Sequence, residues 1–383
     1  MLIGICGKPN TGKSTFFSAA TLVKVDIADY PFTTIKPNVG VTYVRAKCPH
    51  TELGVKCNPQ NSKCEEGVRL IPARILDVAG LVPGAHMGKG LGNQFLDDLR
   101  AADVLIQIVD ASGKTDAEGK PGAYDPILEV KFLEDELAYW IAGIIKRGMP
   151  KIKGKDIHAL AELLSGLNIG LQQISRALEL SGMSAGRIAW SEEETVLFSR
   201  ALLSAKPILI AANKIDVEGA HDNYERMRKE FGDRVMPCYA DGELALRRAN
   251  EKGIVRYTPG DGDFEILNAD ARQTEALEKI RRAMSKYGGT GVQQIINKAV
   301  FELLGQIIVY PVEDENRYSD HFGNVLPHAF LMPSGATAID LAKKIHTELA
   351  ENFICAIDAR TKMKIGREHV LKNNDVIKIV ARR

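Results

Sequence analysis

The start of the chain constrains it most. Residues 2–6 (LIGIC) form a near-continuous apolar run, and Gly7-Lys8-Pro9-Asn10-Thr11-Gly12-Lys13-Ser14 follows at once. Such a run reads as a strand buried on both faces of a parallel sheet. The octapeptide is G-x-x-x-x-G-K-S in strand–loop–helix order, so its backbone N–H groups can wrap a phosphate at a helix N-terminus. Asn10, Thr11, Gly12, Lys13, Ser14 and Thr15 are then expected to contact a nucleotide, with Lys13 reaching the β- and γ-phosphates and Ser14 ligating Mg²⁺.

Further buried-strand runs occur at residues 71–77, 104–110 and 207–213, each ending in a polar residue before a loop or helix. That is the pattern of a doubly wound α/β domain with its ligand at the carboxyl ends of the strands. Two of these ends carry chemistry. In Asp77-Val78-Ala79-Gly80, the carboxylate can hold Mg²⁺ through water and the Gly80 N–H can bind a γ-phosphate. In Asn213-Lys214-Ile215-Asp216, Asp216 can accept from both N1–H and the 2-amino group of guanine. Adenine has neither donor and would leave the carboxylate unpaired, so guanine is expected to win by about 10⁴-fold or more. The Cys238-Tyr239-Ala240 stretch falls where a base-contacting loop would lie, and reads either as an Ala240 N–H donor to guanine O6 or as an ordinary loop.

Between residues 126 and 205 the periodicity changes to 3.6, as in Val130, Leu133, Leu137, Ile141 and Ile144, and strand signals vanish. The strand pattern resumes at residue 207, so this reads as a helical insertion within the α/β domain. The expected domains are 1–124 with 206–304, the insertion 125–205, and a terminal α+β module over 305–383. That module is read as strands at 307–312, 325–331 and 376–380 around a helix at 338–349. The length, 383 residues, allows two or three domains, and the net charge of +1 excludes a globally basic coat or an acidic tail. No run approaches about eighteen apolar residues, so a cytoplasmic protein is expected.

Together the segments GKPNTGKST at 7–15, YPFTTIKPNVG at 30–40, DVAGLVPGAHMGKGLGNQFLDDLR at 77–100, NKID at 213–216 and FGNVLPHAFLMPSGATAIDLAKKIH at 322–346 resemble an Obg-superfamily GTPase of the YchF branch in its archaeal form. The resemblance implies a P-loop G domain with a mostly parallel sheet, an inserted helical domain and a C-terminal TGS domain of ubiquitin-like β-grasp fold. It implies Mg²⁺-dependent hydrolysis of GTP to GDP by a monomeric switch that docks on a ribosome or RNA through the insertion and the TGS domain. Lys13, Thr34 and Gly80 would be catalytic, and Ser14, Thr34 and Asp77 would serve Mg²⁺. Leu81 stands where many GTPases have a water-orienting Gln, which implies slow turnover completed by K⁺ near Asn10, by a loop side chain such as His86, or by a partner. The bacterial and eukaryotic branch has a base motif ending in Glu and accepts ATP, whereas this chain keeps Lys214 and Asp216. Open alternatives are an ATP/GTP hydrolase of stress or redox regulation without a ribosomal role, and a nucleotide-gated RNA-binding module with negligible turnover.

Two clusters lie outside these motifs. Cys48, His50, Cys57 and Cys64 offer four soft or borderline ligands within seventeen residues. They read as a tetrahedral Zn²⁺ site or as reduced thiols on a loop, the spacing matching no standard finger. Arg360, Lys362, Lys364, Arg367 and Lys372 face only Glu368, and read as phosphate contacts or as a solvated hairpin edge. Cys6, Cys238 and Cys355 read as buried strand thiols.

Overall fold

The computed structural model describes residues 1–21, 38–78, 101–151, 156–167, 169–184, 190–204 and 207–382. The chain divides into two compact units, one of residues 1–22, 37–40 and 74–295, the other of 23–36, 41–73 and 296–383.

In the first unit, β1 (Leu2–Cys6) leads through the glycine loop into α1 (Lys13–Thr21). The chain next forms β2 (Val39–Lys47), a short α2 (His50–Leu53), β3 (Lys63–Glu65) and β4 (Val68–Asp77), of which residues 41–73 belong to the second unit, and then β5 (Val104–Asp110) of the first. Then come α3 (Pro126–Gly148), α4 (Ile157–Leu164), α5 (Leu171–Ser181) and α6 (Glu192–Leu203). The sheet resumes with β6 (Ile208–Asn213), α7 (Ala220–Phe231), β7 (Val235–Pro237) and α8 (Ala240–Glu251). Strand order is β2-β4-β1-β5-β6-β7, with β3 paired to β4. β1 runs parallel to β4 and β5, and β6 parallel to β5 and β7. Every residue of β1, β5 and β6 is buried, which is why their sequences show continuous apolar runs and no alternation.

The stretch read as an insertion has helices and their connections but no strand among its described residues, and its apolar side chains join those of the sheet. Leu133, Leu137, Ile141, Leu160, Ile174 and Phe198 share one apolar cluster with Leu2, Leu76, Leu105 and Ile208 of the sheet. The helices are therefore the cover of one sheet face. Asp125 caps α3, accepting from the Ile127 N–H at 3.0 Å, and Pro126 occupies the first turn where no N–H is needed.

The unit closes with the small hairpin β8 (Val255–Arg256) and β9 (Glu265–Ile266), then α9 (Ala271–Tyr287) and α10 (Val292–Asn297). Glycine is required between these helices: at φ +87°, Gly291 lies so close to the loop after β7 that an added Cβ would sit 2.0 Å from the Pro237 oxygen.

In the second unit, a π-helical turn over Lys298–Leu303 precedes β10 (Gln306–Val312), β11 (Phe330–Pro333), α11 (Ala338–Ile345), α12 (Thr347–Glu351), β12 (Phe353–Asp358), β13 (Lys364–Ile365) and β14 (Asp375–Ala381). These strands form a sheet in the order β11-β10-β14-β12-β13, with β10 and β14 parallel at its centre. Leu341, Ala338, Val309, Ala356 and Ile377 form the core between α11 and the sheet, as expected of a β-grasp module. β12 and β13 carry no clear periodicity and were not expected. Residues 325–331 supply only β11, starting at Phe330. Cys355 is half-buried, because its strand has only the two-residue β13 on its outer side.

The terminal module does not form this unit alone. Residues 41–73 belong with it: the Asn58 and Gln60 N–H groups donate to the Val325 and Pro327 carbonyls at 2.8 and 2.7 Å. Asn61 pairs both ways with the Ala329 backbone. The expected boundary at 304/305 would separate these partners.

Candidate functional site

The site is built at the carboxyl ends of β1, β4, β5 and β6. After β1 the chain must turn sharply into α1, and Gly12, at φ +91°, has the Asn213 amide so close that a Cβ would sit 2.3 Å from its Nδ2. No other residue leaves room for that approach. Asn213 Nδ2 donates to the Thr11 carbonyl at 2.8 Å, and Asn213 Oδ1 accepts from the Ala240 N–H at 3.1 Å. One side chain therefore ties the phosphate loop to the loop after β7. The Ala240 N–H, read from the sequence as a donor to guanine O6, is bonded to Asn213 here. It opens α8 and so has no intrahelical acceptor, which Asn213 supplies.

Lys214 reaches back to the same loop. Its Nζ donates to the Asn10 carbonyl at 2.8 Å and pairs with Asp110 at 2.7 Å. Asp110 ends β5, is fully buried, and also accepts from the Ser112 and Thr115 hydroxyls at 2.6 and 2.8 Å. Burial pushes its carboxyl up, but the bonds from Lys214, Ser112 and Thr115 outweigh this and hold it below the usual range. Asp216 is exposed at a groove of about 510 Å³ lined also by Tyr239, Lys279, Arg282 and Tyr287. Desolvation first, then the nearby Asp241, raises its carboxyl. A paired donor edge, such as that of guanine, would reverse this by satisfying the charge.

Lys13 and Asp77 form an ion pair at 2.8 Å. Asp77 lies opposite Ile5 in the β1–β4 register, so strand pairing brings the carboxylate expected to serve Mg²⁺ beside the lysine expected to reach phosphate. The Ser14 hydroxyl and the Asp77 carboxylate are hard oxygen donors that suit Mg²⁺. Thr34, Gly80, Leu81 and His86, with Thr33 and residues 81–92, lie outside the described residues.

The sequence reading missed a second anchor. Lys8, one of the unspecified positions of the phosphate loop, is buried. It donates to the Thr115 and Asp116 carbonyls at 2.9 and 3.0 Å and pairs with Glu129 of α3 at 3.0 Å. Asn10 Nδ2 adds a bond to the Gly119 carbonyl at 2.8 Å. Glu129 is almost wholly buried, and this raises its carboxyl to about 7 despite the Lys8 charge. A signal existed, since Glu129 falls on the apolar face of α3 one residue before Val130.

The four cysteine and histidine residues are brought together, their ligand atoms all within 4.8 Å of one another. The basic interval is partly engaged: Arg360 pairs with Glu52 at 3.1 Å, and Lys362 donates to the Glu315 carbonyl and lies 4.7 Å from the Tyr318 ring. Lys364, Arg367 and Lys372 remain exposed.

A mixed, mostly parallel sheet with a phosphate loop after β1, an acidic end to β4 and an N-K-x-D end to β6 defines a P-loop GTPase fold. Three family profiles match: "50S ribosome-binding GTPase" over residues 2–135, "Obg-like GTPase YGR210-like, G4 motif-containing domain" over 211–314, and "TGS domain" over 322–381. The uncharacterized GTP-binding protein MJ1332 of Methanocaldococcus jannaschii is 51% identical, the match covering 99% of each chain. The ribosome-binding ATPase YchF of Mycoplasma pneumoniae is 35% identical, over 92% of this chain and 87% of its own length. A crystal structure of a GTP-binding protein from Pyrococcus horikoshii covers 100% of both chains at 40% identity and a TM-score of 0.76. The chain belongs to the YchF-like Obg family of GTPases, with a G domain and a C-terminal TGS domain. Among the described residues, no helix is long and apolar enough to cross a membrane.

Proposed function

We propose that this GTP-binding protein hydrolyses GTP to GDP slowly, and that the nucleotide state governs its docking on a ribosome or RNA. The observation that carries the reading is the Asn213 bridge, which holds the base-reading loop and the phosphate loop as one piece. Lys13 would leave Asp77 for the β- and γ-phosphates, and the loop N–H groups would take the phosphate oxygens. Mg²⁺, held by Ser14, Thr34 and Asp77, would neutralise phosphate charge, and the Gly80 N–H would meet the γ-phosphate. Asn213, Lys214 and Asp216 would hold guanine. K⁺ near Asn10 would assist: with Nδ2 engaged by Gly119, the side-chain oxygen of Asn10 is left to face a cation.

The name of the Mycoplasma pneumoniae relative, a ribosome-binding ATPase, supports the docking half of this reading and makes base choice the point to test. Asp216→Asn tests it. An amide offers one acceptor and one donor, so it mismatches guanine and matches xanthine, which presents N1–H and a 2-carbonyl. GTP affinity should fall by about 10²-fold or more while XTP binding appears. Wild-type ATP binding equal to GTP binding would defeat the reading. Single-turnover hydrolysis in K⁺ against Na⁺, and cosedimentation with ribosomes in a non-hydrolysable GTP analogue against GDP, test turnover and docking separately.

A further inference from the structure

We propose that Cys48, His50, Cys57 and Cys64 form a structural zinc site that shapes residues 48–65 into a platform for the terminal β-grasp module. Cys57 Sγ and Cys64 Sγ lie 3.3 and 3.6 Å from His50 Nδ1, and all four ligand atoms fall within 4.8 Å of one another. A tetrahedral ion with Zn–S near 2.3 Å and Zn–N near 2.0–2.1 Å requires S···N edges of about 3.5 Å and S···S edges of about 3.8 Å. The side chains thus already span the volume of such a tetrahedron. None of the three cysteines is in a disulfide, and Cys48 is fully buried, which does not fit loose thiols on a solvated loop.

Charge supplies an independent argument. Arg69 is fully buried beside the cluster; Nε donates to Ser62 Oγ at 2.8 Å, one terminal nitrogen to the Leu326 carbonyl at 2.6 Å, and the other faces Cys48 Sγ at 3.8 Å. Among the described residues no carboxylate pairs with it. Three thiolates, one neutral imidazole and Zn²⁺ sum to one negative charge, which is what a buried guanidinium needs nearby. Packing gives a third. From residue 50 to residue 68 no apolar side chain is buried, and the buried groups are Asn61 and Ser62. A loop with no apolar core needs a crosslink or a metal to hold one shape. It does hold one, because the Asn58 and Gln60 N–H groups and the Asn61 side chain all reach residues 325–329.

The test is metal analysis of the full chain purified without added zinc, followed by chelation and titration with Co²⁺. One zinc per chain is expected, with the intense visible absorption of a tetrahedral cobalt–thiolate centre after exchange. Cys57→Ser should lower zinc affinity by more than about 100-fold, and Arg69→Met by about 10–100-fold. Cys355→Ser should leave it unchanged. Guanine-nucleotide binding, carried by the other unit, reports whether each variant is folded. Absence of stoichiometric zinc both as purified and after zinc addition, a weak octahedral cobalt spectrum, or unaltered affinity in folded Cys57→Ser would each overturn the proposal.

Discussion

At Glu129 a carboxylate is buried against a lysine of the phosphate loop, with Asp110 and Tyr124 the other titratable groups coupled to it. Its folded pKa of about 7 lies above the usual value near 4.5. The folded state therefore binds the proton more tightly, so this group's contribution to stability is complete below about pH 4.5 and is lost as pH rises through about 7. Glu129→Gln removes the titration. Over that window the wild type should lose on the order of 2–3 kcal/mol relative to the variant, measured by denaturant midpoints at several pH values. A difference between the two that stays constant with pH would show that Glu129 is ionised throughout. The sequence displayed Lys8 only as one of four unspecified loop positions, and nothing in that motif says the lysine turns inward. Lys13, Asp77 and Asn213 could be picked out because Lys13 opens the helix after the phosphate loop and Asp77 and Asn213 end strands, each within a fixed motif. Their mutual bonds were not, since those depend on which strands are neighbours.

At the scale of elements, α8 is joined to its surroundings by one buried acid. Glu243 accepts from Arg247 at 2.6 Å, from the Tyr257 hydroxyl at 2.7 Å, and from Thr290 after α9. Removing it in Glu243→Ala would leave Arg247 as a buried, unpaired cation, at a cost of about 3–5 kcal/mol in unfolding free energy. Glu243→Ala with Arg247→Leu should recover much of that loss, and failure to recover would mean that the hydroxyl partners dominate. Periodicity located the strands at 2–6, 104–110 and 207–213, and the start of α3, to within a residue, because each buries one face or all of itself. It missed β12, whose outer neighbour is only two residues long, and β13, that two-residue edge strand, and it read the 126–205 helices as an insertion. Their apolar faces close over Leu2, Leu105 and Ile208.

At the scale of the molecule, the terminal module is incomplete when cut from residues 41–73. In a fragment of residues 305–383 the amide of Ala329, which donates to Asn61 Oδ1, should lose protection from hydrogen exchange. The amide of Leu326, bonded to the Tyr318 carbonyl inside the module, should keep its protection. Equal protection of Ala329 in the fragment and the full chain would show that the contact does not order the module. This pairing of residues more than 250 positions apart in the chain leaves no local pattern to read, which is why the sequence placed the boundary at 304/305.

Between residues 58–61 and 325–329 the Asn58, Gln60 and Asn61 N–H groups bond through backbone atoms alone, so side chains there other than that of Asn61 can drift without breaking those contacts. Arg69 cannot drift freely, because its buried charge serves the cysteine cluster and the Leu326 carbonyl together. The heritable unit is thus discontinuous. A recombination event that exchanged only the last eighty or so residues with those of a relative would import half of an interface, and a viable exchange would have to carry the distant arm with it.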